Sequence, residues 1–363
     1  MLRDALVPFL LTRGALAAGV AVATAFVPLD VAACQACMPT GIEALDDWAR
    51  WDSRWYVEIA RNGYSYVPGQ QSSIAFFPLY PLLLWLLAAP FGGGPVAVVV
   101  AGLVVSNAAL LVALVLLLRL ARPDLDGAAA RRVPLLVLAF PTSVFLSAVY
   151  PESLFLALAV SGFLAARGGR WATAGIAAAL GALTRPFGFA VALGLAVEAL
   201  RGAPASRPRA LAALALTPAA LAAWWAYLTA LTGEPLAFLV VNATFRRGPS
   251  DVLGPLRQLA DPAYYGFPYL VGALLALAVI LTALAWRLLP AGQAAYATTI
   301  LVVILGSGTL GSSMRWELAL FPIFLVLASL AARRAAVGRA YVALGSALSL
   351  LFAAMYARQY WIG

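Results

Sequence analysis

Pro95-Val-Ala-Val-Val-Val-Ala-Gly-Leu-Val-Val-Ser-Asn-Ala-Ala-Leu-Leu-Val-Ala-Leu-Val-Leu-Leu-Leu118 runs from Gly94 to Arg119 without one charged side chain. About 20 apolar residues is the length that crosses bilayer hydrocarbon as a helix, so this stretch decides the fold class. The composition says the same of the whole chain: of 363 residues, 64% are hydrophobic and 11% charged, with a mean hydropathy of +0.93. A soluble domain is about half apolar and about a quarter charged, which excludes an ordinary cytosolic enzyme. The stretch ends on Arg119 and Arg122, and Arg131 and Arg132 follow, making the strongest basic loop in the chain. The positive-inside rule places that loop in the cytoplasm.

Orientation then propagates outward. A first span, residues 10–29, carries no small-residue cleavage signal and is expected to stay as a retained helix. Arg3 and Arg13 put its start inside. If it exits and residues 95–118 return, residues 74–91, with Pro78 and Pro81 near their start, are re-entrant or lie in the outer interface. Further apolar stretches alternate to the C-terminus. The expected fold is therefore an all-α polytopic membrane protein, one domain over residues 1–363 with about eleven transmembrane helices. Residues 30–94 form a first extracytoplasmic loop with an amphipathic helix and the re-entrant segment; residues 232–266 form a second. Several spans between residues 133 and 200 are short, and their outer turns carry Tyr150-Pro-Glu152 and Thr184-Arg185-Pro-Phe-Gly188. Irregular backbone at membrane depth is tolerated only where protein or a cavity surrounds it, so an outward-facing cavity is the natural site.

The charge inventory narrows the chemistry. All 24 basic residues are Arg; there is no Lys and no His. That excludes a Walker A lysine, Schiff-base catalysis, histidine metal sites and a Ser-His relay. A proton acceptor at neutral pH must be Asp or Glu, with Cys a poorer choice. The net charge of +9 does not mark a nucleic-acid binder, because the arginines sit at helix ends rather than on one face. Cys34 and Cys37 form one C-x-x-C, too few ligands for a zinc site. They are either a local disulfide in an extracytoplasmic loop or two interfacial thiols.

Asp47-Trp-Ala-Arg-Trp-Asp-Ser-Arg-Trp-Tyr-Val-Glu-Ile-Ala-Arg-Asn62 reads as one amphipathic helix. Trp48, Trp51, Trp55 and Ile59 share a face, and Asp47, Arg50, Arg54, Glu58 and Arg61 share the polar one. Asp52 falls on the aromatic side, between Trp48, Tyr56 and Ile59, where a carboxylate is partly desolvated; it can equally pair with an Arg or cap a turn. Glu152 sits at a hinge between apolar helices, as a functional acid or as a first-turn acid favoured by the helix dipole. Arg185 and Arg315 occupy outer turns. Each alone fits snorkelling to lipid phosphates, but together they suit an anionic phosphate held by planar forks. Arg246 and Arg247 add to them from the second loop.

Trp51-Asp-Ser-Arg-Trp-Tyr56, Gly63-Tyr64, Phe76-Phe-Pro-Leu-Tyr-Pro81, Val105-Ser-Asn107, Tyr150-Pro-Glu-Ser153, Leu183-Thr-Arg185 and Met314-Arg-Trp-Glu-Leu-Ala-Leu-Phe-Pro322 closely resemble the PIG-V-like mannosyltransferases. These belong to the GT-C class of membrane glycosyltransferases, which use polyprenyl-phosphate sugars. The resemblance implies a GT-C-like bundle and transfer of mannose from a polyprenyl-phosphate donor to a glycolipid, glycan or protein acceptor. It implies Asp52 as the general base of an inverting reaction, with Glu152 orienting hydroxyls or acting as a second carboxylate. It implies Arg185 and Arg315, with Arg246 or Arg247, on the donor phosphate, and a substrate pocket lined by Trp51, Arg54, Tyr56, Tyr80 and Tyr150. One departure is that Asn242-Ala-Thr-Phe-Arg-Arg247 lacks the Gln and Trp that precede this arginine in the family. The Ala/Arg-rich, Lys-free composition looks like a bacterial member in the plasma (inner) membrane with an extracytoplasmic site, so the GPI acceptor of eukaryotic members is not carried over. Asp52 and Glu152 admit a divalent metal, but with no closed ligand set, no cofactor and metal independence are expected.

Three other readings compete, one of them a structural or interaction membrane protein in which the loop helix is only an interfacial anchor. A GT-C transferase of another sugar has the same motifs. A transporter or flippase would show repeat symmetry between halves and charge midway along helices, and the sequence shows no such repeat.

Overall fold

The computed structural model describes residues 1–33, 38–245, 254–260 and 267–362. In chain order its helices are α1 (Leu2–Phe26), α2 (Glu43–Asp46), α3 (Ser53–Asn62), α4 (Leu79–Ala88), α5 (Pro95–Ala121), α6 (Gly127–Leu138), α7 (Glu152–Arg167), α8 (Trp171–Ala182) and α9 (Phe189–Arg201). There follow α10 (Arg207–Leu214), α11 (Leu216–Thr232), α12 (Ala237–Thr244), α13 (Gly254–Ala260), α14 (Pro268–Leu288), α15 (Ala291–Leu305), α16 (Ser313–Trp316), α17 (Phe321–Arg333) and α18 (Ala335–Ala357). No strand occurs among the described residues. The all-α membrane fold expected from the sequence is the one observed.

Length and apolarity qualify five helices to cross a membrane: Leu2–Phe26, Pro95–Ala121, Pro204–Thr232, Pro268–Leu288 and Ala335–Ala357. Ser313–Ala319 with Phe321–Arg333 is a sixth if the bent pair is one span. Leu79–Phe91, Trp171–Ala182 and Ala291–Leu305 are apolar but shorter. The expected count of about eleven is therefore not reproduced by helix length among the described residues. Residues 133–149 show why: α6 ends at Leu138, and the apolar run continues as a turn and a 3-10 helix, Ser143–Leu146, with every side chain from Val144 to Tyr150 buried. Hydropathy registers burial there, not a continuous span.

The chain folds into two compact units, each assembled from separate stretches. The first comprises Met1–Gly63, Tyr80–Ala157 and Phe324–Gly363; the second comprises Tyr64–Leu79 and Leu158–Ile323. In the first, α1 packs against α18, α6 and α5. It turns Leu10, Leu11, Val22 and Phe26 outward, an apolar exposed face of the kind that lipid covers. Small residues let the helices of this unit close up. A Cβ on Gly345 of α18 would collide with the Ala139 carbonyl oxygen, so the chain crosses there only as glycine.

Arg13 corrects a sequence expectation. Because α1 begins at Leu2, Arg13 lies inside the helix rather than in its cytoplasmic flank, and it is buried. Its guanidinium donates to the carbonyl oxygens of Ser143 at 2.9 Å and Leu138 at 3.4 Å, and to the hydroxyls of Ser143 at 3.2 Å and Ser147 at 3.3 Å. It thereby satisfies the carbonyls that α6 leaves open at its C-terminal end and in the following turn.

In the second unit α9 lies along α15, and α8 packs on α9, α10 and α11. A Cβ on Gly194 would stand 2.7 Å from the Gly292 carbonyl oxygen; this contact again requires the missing side chain. The Leu79 amide donates to the Leu183 carbonyl at 2.9 Å, tying the Phe76-Phe-Pro-Leu stretch to the turn that carries Arg185.

Candidate active site

Asp52 lies at the head of α3, not within a helix running from Asp47. The backbone leaves α2 at Asp46, turns, and passes through Trp51 with φ +57° before α3 begins at Ser53. A non-glycine residue in the left-handed region is disfavoured by about 1–2 kcal/mol. This break overturns the single helical wheel and its polar face. Asp47 and Arg50 are buried; Glu58 and Arg61 remain exposed on α3.

The break supplies α3 with a backbone cap. The amides of Ser53, Arg54 and Trp55 donate to the carbonyls of Arg50, Trp51 and Asp52 at 3.2, 3.2 and 3.0 Å. Asp52 occupies the N-cap position, yet its carboxylate makes no capping bond. Asp126, at the N-cap of α6, behaves in the ordinary way and accepts from the Ala128 and Ala129 amides at 2.9 and 2.8 Å. The Asp52 carboxylate is thus not committed to holding its helix.

Tyr150 fixes this geometry. Its buried hydroxyl accepts from the Asp52 amide at 3.0 Å and donates to the Arg50 carbonyl at 3.2 Å, bracketing Trp51. The Tyr356 hydroxyl accepts from the Arg50 amide at 3.0 Å. The Tyr150 carbonyl accepts from Ser106 Oγ at 3.0 Å, and Ser106 meets the Tyr80 hydroxyl at 2.9 Å. Tyr56 stands edge-on to Tyr80 and Tyr150, with ring centroids 5.3 and 6.1 Å away. The tyrosines expected in a substrate pocket are therefore buried together, and the hydroxyls of Tyr80 and Tyr150 grip protein. Trp51 is half-buried, edge-on to Trp361 at 4.8 Å. Asp52 is half-buried too. Arg54 lies over the Trp55 ring at 4.7 Å; burial lowers its pKa below the ordinary guanidinium value, and the charge of Asp52 partly restores it.

Beneath the turn lies an ionic cluster, buried except for Glu43, that sequence reasoning missed. Arg50 Nη2 meets Asp47 Oδ1 at 2.6 Å, and Arg50 Nε donates to the Ala357 carbonyl at 2.9 Å. Arg358 Nη1 reaches Glu43 at 2.7 Å and Asp47 at 3.7 Å, and Thr24 donates to Asp47 Oδ2 at 2.5 Å. Asp46 accepts from the Thr40 amide and hydroxyl at 2.9 and 2.8 Å. Sequence showed the charged residues but not their pairing, because Arg358 lies more than three hundred residues from Asp47 and Glu43. Glu152 begins α7 and is 5% exposed, a carboxylate at the positive end of a helix dipole.

The second unit holds the expected phosphate arginines. Arg185 and Arg315 are 5% and 3% exposed, so neither snorkels outward. The Arg185 guanidinium lies over the Phe187 ring at 5.0 Å, and Phe187 stands edge-on to Trp316 at 5.5 Å. Arg315, beside Trp316, donates to Ser312 Oγ at 3.4 Å. The Phe187–Trp316 pair therefore ties the turn of Arg185 to the short helix that carries Arg315. Glu317, also fully buried, was not singled out from sequence; neither of its carboxylate oxygens has a hydrogen-bond partner among the described residues. Arg246, Arg247, Cys34 and Cys37 lie outside the described residues. Among the described residues no group of three or more Asp, Glu, Cys or His is placed to hold a metal ion.

Residues 10–203 match the family described as mannosyltransferase (PIG-V). Among solved structures, ArnT from Cupriavidus metallidurans bound to undecaprenyl phosphate is similar with a TM-score of 0.50 at 20% identity, over 77% of this chain and 55% of ArnT. The oligosaccharyltransferase of Archaeoglobus fulgidus in complex with Zn and sulfate is similar at 16% identity and a TM-score of 0.47, over 88% of this chain and 49% of that one. The chain spans about half the length of these solved proteins. No curated protein matches the sequence. The ArnT likeness is one of fold, and the fold is the GT-C bundle that the sequence resemblance implied.

Proposed function

Because this chain belongs to the PIG-V mannosyltransferase family of membrane glycosyltransferases, we propose that it moves mannose from a polyprenyl-phosphate donor to a glycolipid, glycan or protein acceptor. The reaction takes place on the extracytoplasmic side of a bacterial plasma membrane. The solved ArnT was bound to undecaprenyl phosphate, which supports a polyprenyl phosphate as the lipid partner here.

Asp52 takes the proton from the acceptor hydroxyl as that oxygen attacks the anomeric carbon. The bond from that carbon to the phosphate oxygen breaks, the electron pair leaves with the polyprenyl phosphate, and attack from the opposite side inverts the configuration. Arg185 and Arg315 neutralise the charge that grows on the departing phosphate. Buried guanidiniums are worth more for this than exposed ones, because no water screens them. Glu152 orients hydroxyls. Tyr150 and Tyr80 act through the backbone as positioning residues. The observation that carries the reading is the Asp52 carboxylate, half-buried and relieved of capping by the backbone turn that Tyr150 clamps.

The test is transfer in proteoliposomes. Purified protein receives polyprenyl-phosphate [14C]mannose and a bacterial membrane extract, and label is followed into lipid and protein. Asp52→Asn keeps expression and folding and loses transfer by about 10²–10⁴-fold, the usual worth of a general base. Wild-type rates in that variant remove Asp52 from the proton transfer. Transfer from a nucleotide sugar in place of the lipid donor overturns both donor and membrane side.

A further inference from the structure

A cleft of about 410 Å³ opens in the first unit between α6, the end of α17 and the start of α18, and none of the residues assigned to the reaction lines it. Ligand pockets run from about 300 to 1,000 Å³, so its size is that of a binding site. Its wall is apolar, with Leu135 and Leu136 on α6 facing the smaller Ala331 on α17 and Ala335, Gly338 and Val342 on α18. Two guanidiniums, Arg132 and Arg339, line it as well. Among the described residues that line it none is acidic. The nearby Asp126 has its Oδ1 engaged by the α6 amides.

Arg132 is held ready. One of its terminal nitrogens donates to the Ala331 carbonyl at 2.8 Å, which ties the guanidinium to one wall of the cleft. Ala331 is near the C-terminal end of α17, so Arg132 also steadies that helix end. A Cβ on Gly338 would come within 2.8 Å of the Ala331 Cβ, and the glycine therefore lets α18 approach closely. Arg333 and Arg334 follow at the α17–α18 junction, both exposed. The result is a positive rim over an apolar slot at the ends of membrane helices. The quaternary ammonium of a zwitterionic headgroup would meet two like charges there, and a soluble anion has no use for the apolar wall. Basic pockets between membrane helices recognise anionic headgroups.

We propose that this cleft binds an anionic glycerophospholipid, its phosphate between Arg132 and Arg339 and an acyl chain along Leu135, Ala335 and Val342. The inference stands apart from the transfer reaction and does not depend on Asp52.

Native mass spectrometry of the full chain, delipidated in detergent and titrated with phosphatidylglycerol, phosphatidylcholine or inorganic phosphate, tests it. Phosphatidylglycerol should bind at one site at least tenfold more tightly than phosphatidylcholine. Inorganic phosphate at millimolar concentration should leave it in place. Arg132→Gln with Arg339→Gln should abolish the preference. Ala335→Phe, which fills the slot and keeps both charges, should weaken phosphatidylglycerol binding at least tenfold with an unchanged thermal midpoint. Equal affinity for the two lipids overturns the assignment, as does unchanged binding in the charge variant. Displacement by inorganic phosphate, or unaltered binding in Ala335→Phe, shows a simple anion site and overturns it too.

Discussion

Tyr150→Phe separates a clamp from a pocket wall. The substitution removes one oxygen and leaves the ring, so packing against Phe145 at 4.9 Å, Tyr56 and Tyr356 persists. Two hydrogen bonds go. The Arg50 carbonyl keeps other donors, Tyr356 Oη and the Ser53 amide, both at 3.2 Å, so its loss is small. The larger loss falls on the Asp52 amide, whose bond to Tyr150 is 3.0 Å long. Leaving a shielded donor without this partner costs about 1–2 kcal/mol. That equals the strain of about 1–2 kcal/mol held at Trp51 by its left-handed backbone. Without the clamp the turn rests on Tyr356 and the Arg50 anchor alone, and each 1.4 kcal/mol lost is tenfold in its population. The expected result is a kcat about tenfold lower with the KM for the polyprenyl-phosphate donor within twofold of wild type, read from initial rates in proteoliposomes. A wild-type kcat refutes the clamp. A raised KM with unchanged kcat refutes it differently, by making the hydroxyl a substrate contact.

Other perturbations test the remaining assignments. Arg185→Ala and Arg315→Ala should each lower kcat about 10²–10³-fold, the loss seen when one charge-stabilising donor is removed. Arg315→Lys should not restore the rate, since an ammonium lacks the planar fork; full rescue would make Arg315 a point charge. Chelation with EDTA should leave the transfer rate unchanged, and activity restored only by added Mg²⁺ or Mn²⁺ would demand a metal mechanism. Arg13→Leu strands the Ser143 carbonyl where no water reaches. At about 1–3 kcal/mol for a buried group so exposed, it should lower the thermal midpoint in detergent while leaving the KM unchanged.

How much of this was legible depended on whether the signal was local. Hydropathy alone located α5, because an unbroken apolar run with Arg at one end has one reading. It did not show the break after Leu138 within residues 133–149, because buried backbone there carries the same apolar pattern as a continuous span. Asp52 stood out among tryptophans, and Arg185 and Arg315 among apolar turns. Their burial did not show, since a snorkelling arginine and a buried one are written alike. The helical wheel failed at Trp51 for a definite reason. Tryptophan carries no preference for the left-handed region, and the force that puts it there comes from a tyrosine hydroxyl nearly a hundred residues later. The same holds for Arg50, whose partners at Tyr356 and Ala357 lie some three hundred residues away.

A chain without Lys or His draws its base first from its carboxylates, and a carboxylate at a helix start is readily claimed by backbone amides. Asp126 is such a case. An N-cap aspartate contributes about 1 kcal/mol to its helix, so a fold that leaves one out of capping forgoes that stabilisation unless something else satisfies the amides. Here the left-handed turn at Trp51 does so, bringing the Arg50, Trp51 and Asp52 carbonyls onto the first amides of α3. That turn is itself unfavourable, and it persists because Tyr150 and Tyr356 hold its backbone while Arg50, Asp47 and Arg358 anchor it from below. The buried ionic cluster, the tyrosine hydroxyls and the strained tryptophan thus have one joint effect. They transfer the capping duty from a side chain to the main chain, and the acid that remains is the one the family resemblance makes the base.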